Sequence, residues 1–258
     1  MAAIAAPAQA AEQNIDDVTL SWGMNAETGA AAFNGSCNFL SAGKAGDTGS
    51  SRAWTAEDGF YSSKSGDVSV MVPTAAGAAK EQSWGDRCNT GEGVAVNAFS
   101  PAAPKSTDNY LVWENGSGTV DPEAGTATIN WDGSFTAVSY GGLFYFSASD
   151  PVLTVSADGS ATLKATASGF GADQADPTAW SALPVRTVTL ANLKNVEVDA
   201  DGFTVTPEYT DVQLPAKFNQ QSGSAGLGSF PLDFVEYQEL VGGASYWYSS
   251  GAVRIPEK

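Results

Sequence analysis

Between Gly118 and Ala167 apolar runs and turn residues succeed one another so regularly that consecutive strands are the fold they predict. Ile129 and Trp131 alternate with Thr128 and Asn130, the period of a half-buried strand. Asp132-Gly133 supplies turn chemistry, because glycine reaches the positive φ angles that tight hairpins need. Leu143 to Phe146 is an apolar run suited to a strand covered on both faces. Asp150-Pro151 is expected to break it, since proline cannot donate to a ladder. Val152 to Val155 then starts another strand, Asp158-Gly159 turns, and Ala161 to Ala167 returns. The rest of the chain is read as additions to this β-meander.

At 258 residues the chain is long enough to bury a sizeable core. Outside the meander, strands are expected at Val18–Met24, Val68–Val72, Val94–Phe99, Tyr110–Trp113, Val185–Leu190, Val196–Val198, Phe203–Thr206 and Val212–Leu214. In the first of these Val18, Leu20 and Trp22 share one face. Phe234, Tyr237 and Leu240 have helical spacing, and Tyr246, Trp247 and Tyr248 read as an aromatic strand. The expected class is all-β: two packed antiparallel sheets, sandwich-like, with one or two short helices. No charge shift or linker divides the chain, so residues 18–258 are expected to form one domain, with a long insertion around 43–105.

Composition narrows the compartment and the partners. Residues 1–17 read as the remnant of a secretory signal with an extended segment, because the small apolar start finishes in Ala8-Gln9-Ala10. A disordered Ala-rich tail is the alternative. Cys37 and Cys88 fit an exported protein with one disulfide, two free thiols being the other reading. A formal charge of −17 repels polyanions and argues against nucleic-acid binding.

Much chemistry is missing. The sequence has no histidine, which removes Ser-His-Asp and Cys-His catalysis and most zinc sites. There is no C-x-x-C pair and no Gly-rich phosphate loop. Asp199-x-Asp201-Gly resembles part of a calcium loop without its third acid or distal Glu, so a plain turn is preferred; Asp173 and Asp176 in the loop Gly169–Trp180 are read the same way. No catalytic and no metal-binding residue is therefore assigned, and the chain is expected not to be an enzyme.

The segment GSGTVDPEAGTATINWDGSFTAVSYGGLFYFSASDPVLTV resembles the HtaA haem-uptake domain family of actinobacterial surface proteins. It is similar to that family's succession of a strand, a Gly-x-Gly-Leu strand and an Asp-Pro-x-Leu sequence. The stretches TLANLKNVEVDADGFTVTP, FVEYQ and SYWYSSG look like a secreted branch of the same family, and the likeness runs from Thr19 onward. Family members that bind haem use an axial tyrosine shortly after a Trp-Gly pair, and a histidine that hydrogen-bonds it. Here no tyrosine follows Trp22-Gly23 before Tyr61, and the histidine position corresponds best to Tyr140.

The resemblance implies a secreted or cell-surface domain for haem binding or haem relay, with haem or a haem-carrying protein as partner. Tyr140 is the first candidate ligand, with Tyr61 and Tyr145 behind it, because a phenolate holds ferric iron in some haem proteins. The alternative is a non-catalytic cell-envelope protein, structural, adhesive or self-assembling. Its contacts would be the aromatics Trp54, Tyr246, Trp247 and Tyr248, since such rings anchor interfaces at low entropic cost.

Overall fold

The computed structural model describes residues 12–172, 179–199, 202–221 and 226–250. Twelve strands are present among them: β1 (Gln13–Trp22), β2 (Phe39–Ala42), β3 (Lys64–Ser65), β4 (Val68–Pro73), β5 (Ala79–Glu81) and β6 (Tyr110–Asp121), then β7 (Thr126–Asn130), β8 (Ser134–Ser139), β9 (Phe144–Val155), β10 (Ala161–Ala172), β11 (Trp180–Ala182) and β12 (Arg186–Leu193). One α-helix, α1 (Leu232–Val241), follows. The strands form one sheet with the central order β11-β10-β9-β7-β6-β4-β3; β12 also pairs with β10, β1 with β6, β5 with β4, and β8 carries β2 onto β9. The pairings are antiparallel, and the class is all-β as expected.

The two parts of the sheet, around β8 and around β7, are joined through β9. Its first half, Phe144–Ser149, pairs with β8, and its second half, Val152–Val155, pairs with β7. The predicted break at Asp150-Pro151 is therefore corrected: one strand runs through it and bends. Pro151 is tolerated because it sits at the changeover, where neither neighbour needs its missing N–H. Asp150 has φ +54° there, and the register against β10 slips between Lys164 and Thr166. The bend is pinned by the Gly133 N–H, which donates to Asp150 Oδ1 at 3.0 Å, and by the Asp150 N–H, which donates to the Gly133 carbonyl at 2.8 Å.

This bend folds β8 and β2 over the β1–β6 ribbon. Phe135 of β8 packs edge-on against Trp113 of β6 at 5.7 Å and Trp22 of β1 at 6.3 Å. Val18, Leu20 and Trp22 do share the inward face of β1, while Thr19 and Ser21 are exposed. α1 closes the main core with Phe234, Val235, Tyr237, Gln238 and Val241, a helical stripe laid against β9, β10 and β12. A smaller core holds Cys37, Phe39, Trp54, Val138 and Tyr145, with Phe60, Tyr61 and Trp84 around it. Cys37 and Cys88 are joined by a disulfide with their Cα atoms 5.7 Å apart.

Several predicted strands are not strands. Val94–Phe99 makes only an isolated bridge, Asn89 to Ala95, and leaves Val94 and Phe99 exposed. Val196–Val198, Phe203–Thr206 and Val212–Leu214 have no ladder, although Val198, Val205 and Leu214 still pack on the core. Their apolar residues cover the sheet by side chain alone, so β-propensity found no free edge to pair with. The aromatic strand at Tyr246–Tyr248 is replaced by a 3-10 turn, Ala244–Tyr246, that leaves α1. Residues 1–11 of the expected signal remnant lie outside the described residues, as do Asp173, Asp176 and Asp201.

Candidate functional site

The loop between β8 and β9, Tyr140 to Leu143, is where the sequence readings and the geometry converge. Tyr140 has φ +52°, unusual for a tyrosine, and its backbone is held from both sides. Its N–H donates to Asn38 Oδ1 at 2.8 Å, and its carbonyl accepts from Asn34 Nδ2 at 3.4 Å. The neighbouring Gly141 donates to the Cys37 carbonyl at 3.0 Å and accepts from the Trp54 N–H at 2.8 Å. Gly142 has φ +131°, and a Cβ there would lie 2.4 Å from Trp54 Cδ1, so only glycine lets Trp54 seat beneath the loop.

These constraints deliver the Tyr140 ring to a half-buried aromatic cluster. It lies 5.9 Å from Phe144 and 6.1 Å from Tyr246, and Phe144 and Tyr246 are 5.9 Å apart. The Tyr246 hydroxyl donates to the Tyr140 hydroxyl oxygen at 2.6 Å. Burial, then this bond, pushes the Tyr246 phenol well above its ordinary value of 10.0, so Tyr246 keeps its proton and remains the donor. The cleft beside Tyr246, walled by Asn38, Val138, Ser139 and Trp247, measures only about 10 Å³.

The other two tyrosine candidates are placed differently. Tyr145 is one residue along β9 from Phe144 and points to the opposite face, into the smaller core. Its hydroxyl donates to the Gly46 carbonyl at 2.7 Å and accepts from the Thr48 N–H at 3.2 Å. Tyr61 packs against Phe39 and Trp84 and donates its hydroxyl to the Gln82 carbonyl. Desolvation raises both phenols above 10.0. Each is a satisfied core tyrosine whose oxygen faces backbone.

The contact patch expected from Trp54, Tyr246, Trp247 and Tyr248 is corrected. Trp54 is wedged between Phe39, Phe60 and Tyr145. Trp247 packs on Phe234 at 4.9 Å and Phe230 at 5.1 Å, and the Tyr248 hydroxyl donates to the Phe218 carbonyl at 2.8 Å. Trp247 and Tyr248 are buried because the chain after α1 turns back into the core, and Trp54 because it sits in the smaller core beneath the β8–β9 loop; Tyr246 alone is partly exposed. The most exposed rings among the described residues are Phe33 and Phe99, 57 % and 68 % exposed and 6.0 Å apart, and neither was singled out from sequence as a contact.

Among the described residues no group of three or more Cys, Asp or Glu side chains gathers to hold a metal ion. The larger clefts lie elsewhere, against β1 and β12, at about 360 and 300 Å³. A family model described as Htaa matches residues 88–228, a span that takes in Tyr140 and β6 to β12. No curated protein and no solved structure matches the chain.

Proposed function

The chain belongs to the HtaA family, whose domains are tied to haem uptake, and from that premise we propose a secreted or cell-surface binding domain that takes haem at Tyr140. The observation that carries the reading is the Tyr246 hydroxyl donating to the Tyr140 oxygen at 2.6 Å. A donor on a phenol oxygen stabilises its deprotonated form, and a phenolate is the oxygen ligand that ferric iron accepts. In the family pattern a histidine supports an axial tyrosine; here Tyr140 itself corresponds to that histidine, so on this reading the ligand has moved to the histidine position and Tyr246 supplies the supporting donor.

The residues suit the group in their donor chemistry. Tyr140 would hold the iron, and Phe144 and Tyr246 would give the porphyrin apolar contact. With only about 10 Å³ of cleft beside Tyr246, a porphyrin would rest on an open face and not in a slot. Bound haem would supply the iron, while the chain supplies ligand, support and apolar surface. An open face suits relay to a haem-carrying partner better than permanent storage. The role is binding without bond-making, in keeping with a sequence that has no histidine.

Haemin titration of the purified chain tests this directly. A saturable Soret band that is lost in Tyr140→Phe supports the reading; no band with the wild-type chain removes it. The second reading, a cell-envelope module that binds no haem, draws on the exposed Phe33–Phe99 pair, because two adjacent rings in water are an unmet apolar contact. It would then stand, with cell-envelope components or further copies of the chain as partners.

A further inference from the structure

A sizeable cleft lies away from Tyr140. It measures about 360 Å³ and is walled by Trp22, Ile129, Trp131, Leu153, Leu163 and Leu193, from five strands of the sheet. Among the described residues no Asp, Glu, Lys or Arg lines it, in a chain whose formal charge is −17. The wall is a built one. Trp131 is fixed by its indole N–H, which donates to the Val18 carbonyl at 2.8 Å. Gly116 leaves it room, since a Cβ there would lie 2.2 Å from Trp131 Nε1. The volume is more than twice the ~150 Å³ apolar cavity that accepts a benzene ring, and it falls in the usual range of small-molecule sites.

The outer side is a strap, Gly202–Pro207, that contributes Phe203 and Val205. No backbone hydrogen bond ties Phe203–Pro207 to described residues; the strap is anchored just beyond, by the Glu208 N–H donating to the Asn192 carbonyl at 2.8 Å. Phe203, 40 % exposed, stands at the rim. An element packed by side chains without a ladder opens more easily than one within the sheet.

A second cleft of about 300 Å³ shares Trp22, Ala191 and Pro207 with the first but is lined by Glu208, so of the two only the first is, among the described residues, free of charged side chains.

We propose that the first cleft binds a linear, uncharged hydrocarbon chain, which lies between Trp131 and Leu163 under the strap. Ionised head groups are excluded from the inner cleft because no counter-charge lines it. The site is independent of haem at Tyr140.

The test is a titration of the full purified chain with the uncharged dye N-phenyl-1-naphthylamine, followed by displacement with methyl laurate or laurate. Saturable enhancement of the dye is expected, with methyl laurate displacing it and laurate roughly tenfold weaker or worse, for want of a counter-charge. Val205→Trp, on the unladdered strap, should abolish dye binding, and Thr204→Trp at the exposed rim serves as a second plug should the first perturb folding. Tyr140→Phe, outside this cleft, should leave dye affinity unchanged. Undiminished dye binding in both plugged variants, laurate matching its ester, or haemin displacing the dye from Tyr140→Phe would each overturn the assignment.

Discussion

The Tyr246 hydroxyl donates to the Tyr140 hydroxyl at 2.6 Å across 106 positions of sequence. On the proposed haem reading, the bond makes Tyr246 a positioning residue for Tyr140. Tyr246→Phe keeps the ring contacts with Phe144 and removes only the donor. Haemin affinity should fall by roughly ten- to a hundredfold, the value of a hydrogen bond to a charged oxygen. The pH at which the tyrosinate–iron spectrum appears should also rise. A merely structural Tyr246 would leave that pH unchanged, and spectrophotometric titration distinguishes the two.

Cys37 and Cys88 close a separation of 51 residues next to Phe39 and Trp54. Reducing the bond, or replacing both cysteines by alanine, should destabilise the fold by about 4 kcal/mol in the chain-entropy model. Urea unfolding with and without reductant checks this.

Gly142 cannot take a side chain without displacing Trp54. Gly142→Ala adds a Cβ at φ +131° and 2.4 Å from the indole, and should cost about 2 kcal/mol or more. The loss should appear as a lowered Tm together with a changed near-ultraviolet signal from Trp54, and weakened haemin binding should accompany it because the same loop carries Tyr140.

Tyr237 of α1 is buried with its hydroxyl unbonded, and burial pushes its phenol up to about 12 from 10.0. Below pH 10 both folded and unfolded chains hold the proton, so the contribution of this group is complete there. Between about 10 and 12 the unfolded chain releases the proton while the native chain keeps it, and stability falls as pH rises. Tyr237→Phe should stabilise the protein by about 1 kcal/mol at neutral pH and flatten its loss of stability above pH 10. Thermal unfolding across that range measures both effects.

What could be read from the sequence follows the range of the forces involved. Alternation of Val18, Leu20 and Trp22, and of Ile129 and Trp131, gave the inward faces correctly because side-chain period is local. The passage of β9 through Pro151 was missed because it depends on β8 ending and β7 beginning opposite one residue, a fact about partners. Val94 and Phe203 have strand-like neighbours but no edge to pair with, which propensity does not record. At the site, the family pattern pointed to Tyr140. The pairing with Tyr246 left no local signal, since α1 and the turn after it bring that ring back across the fold. Trp247 and Tyr248 illustrate the converse: large aromatics near the end of the sequence looked available and proved to be filling.

β1 lies beside β6, with Gln13 opposite Val120 and Trp22 opposite Leu111. During synthesis from the amino terminus, the opening strand leaves the ribosome with no mate and stays an open ribbon while about a hundred further residues are made. Hairpins such as β9–β10 zip as they emerge, because their two sides are neighbours in the chain. Closure of the β1–β6 ribbon is therefore timed by the arrival of a strand near the middle of the chain, not by the strands that follow it.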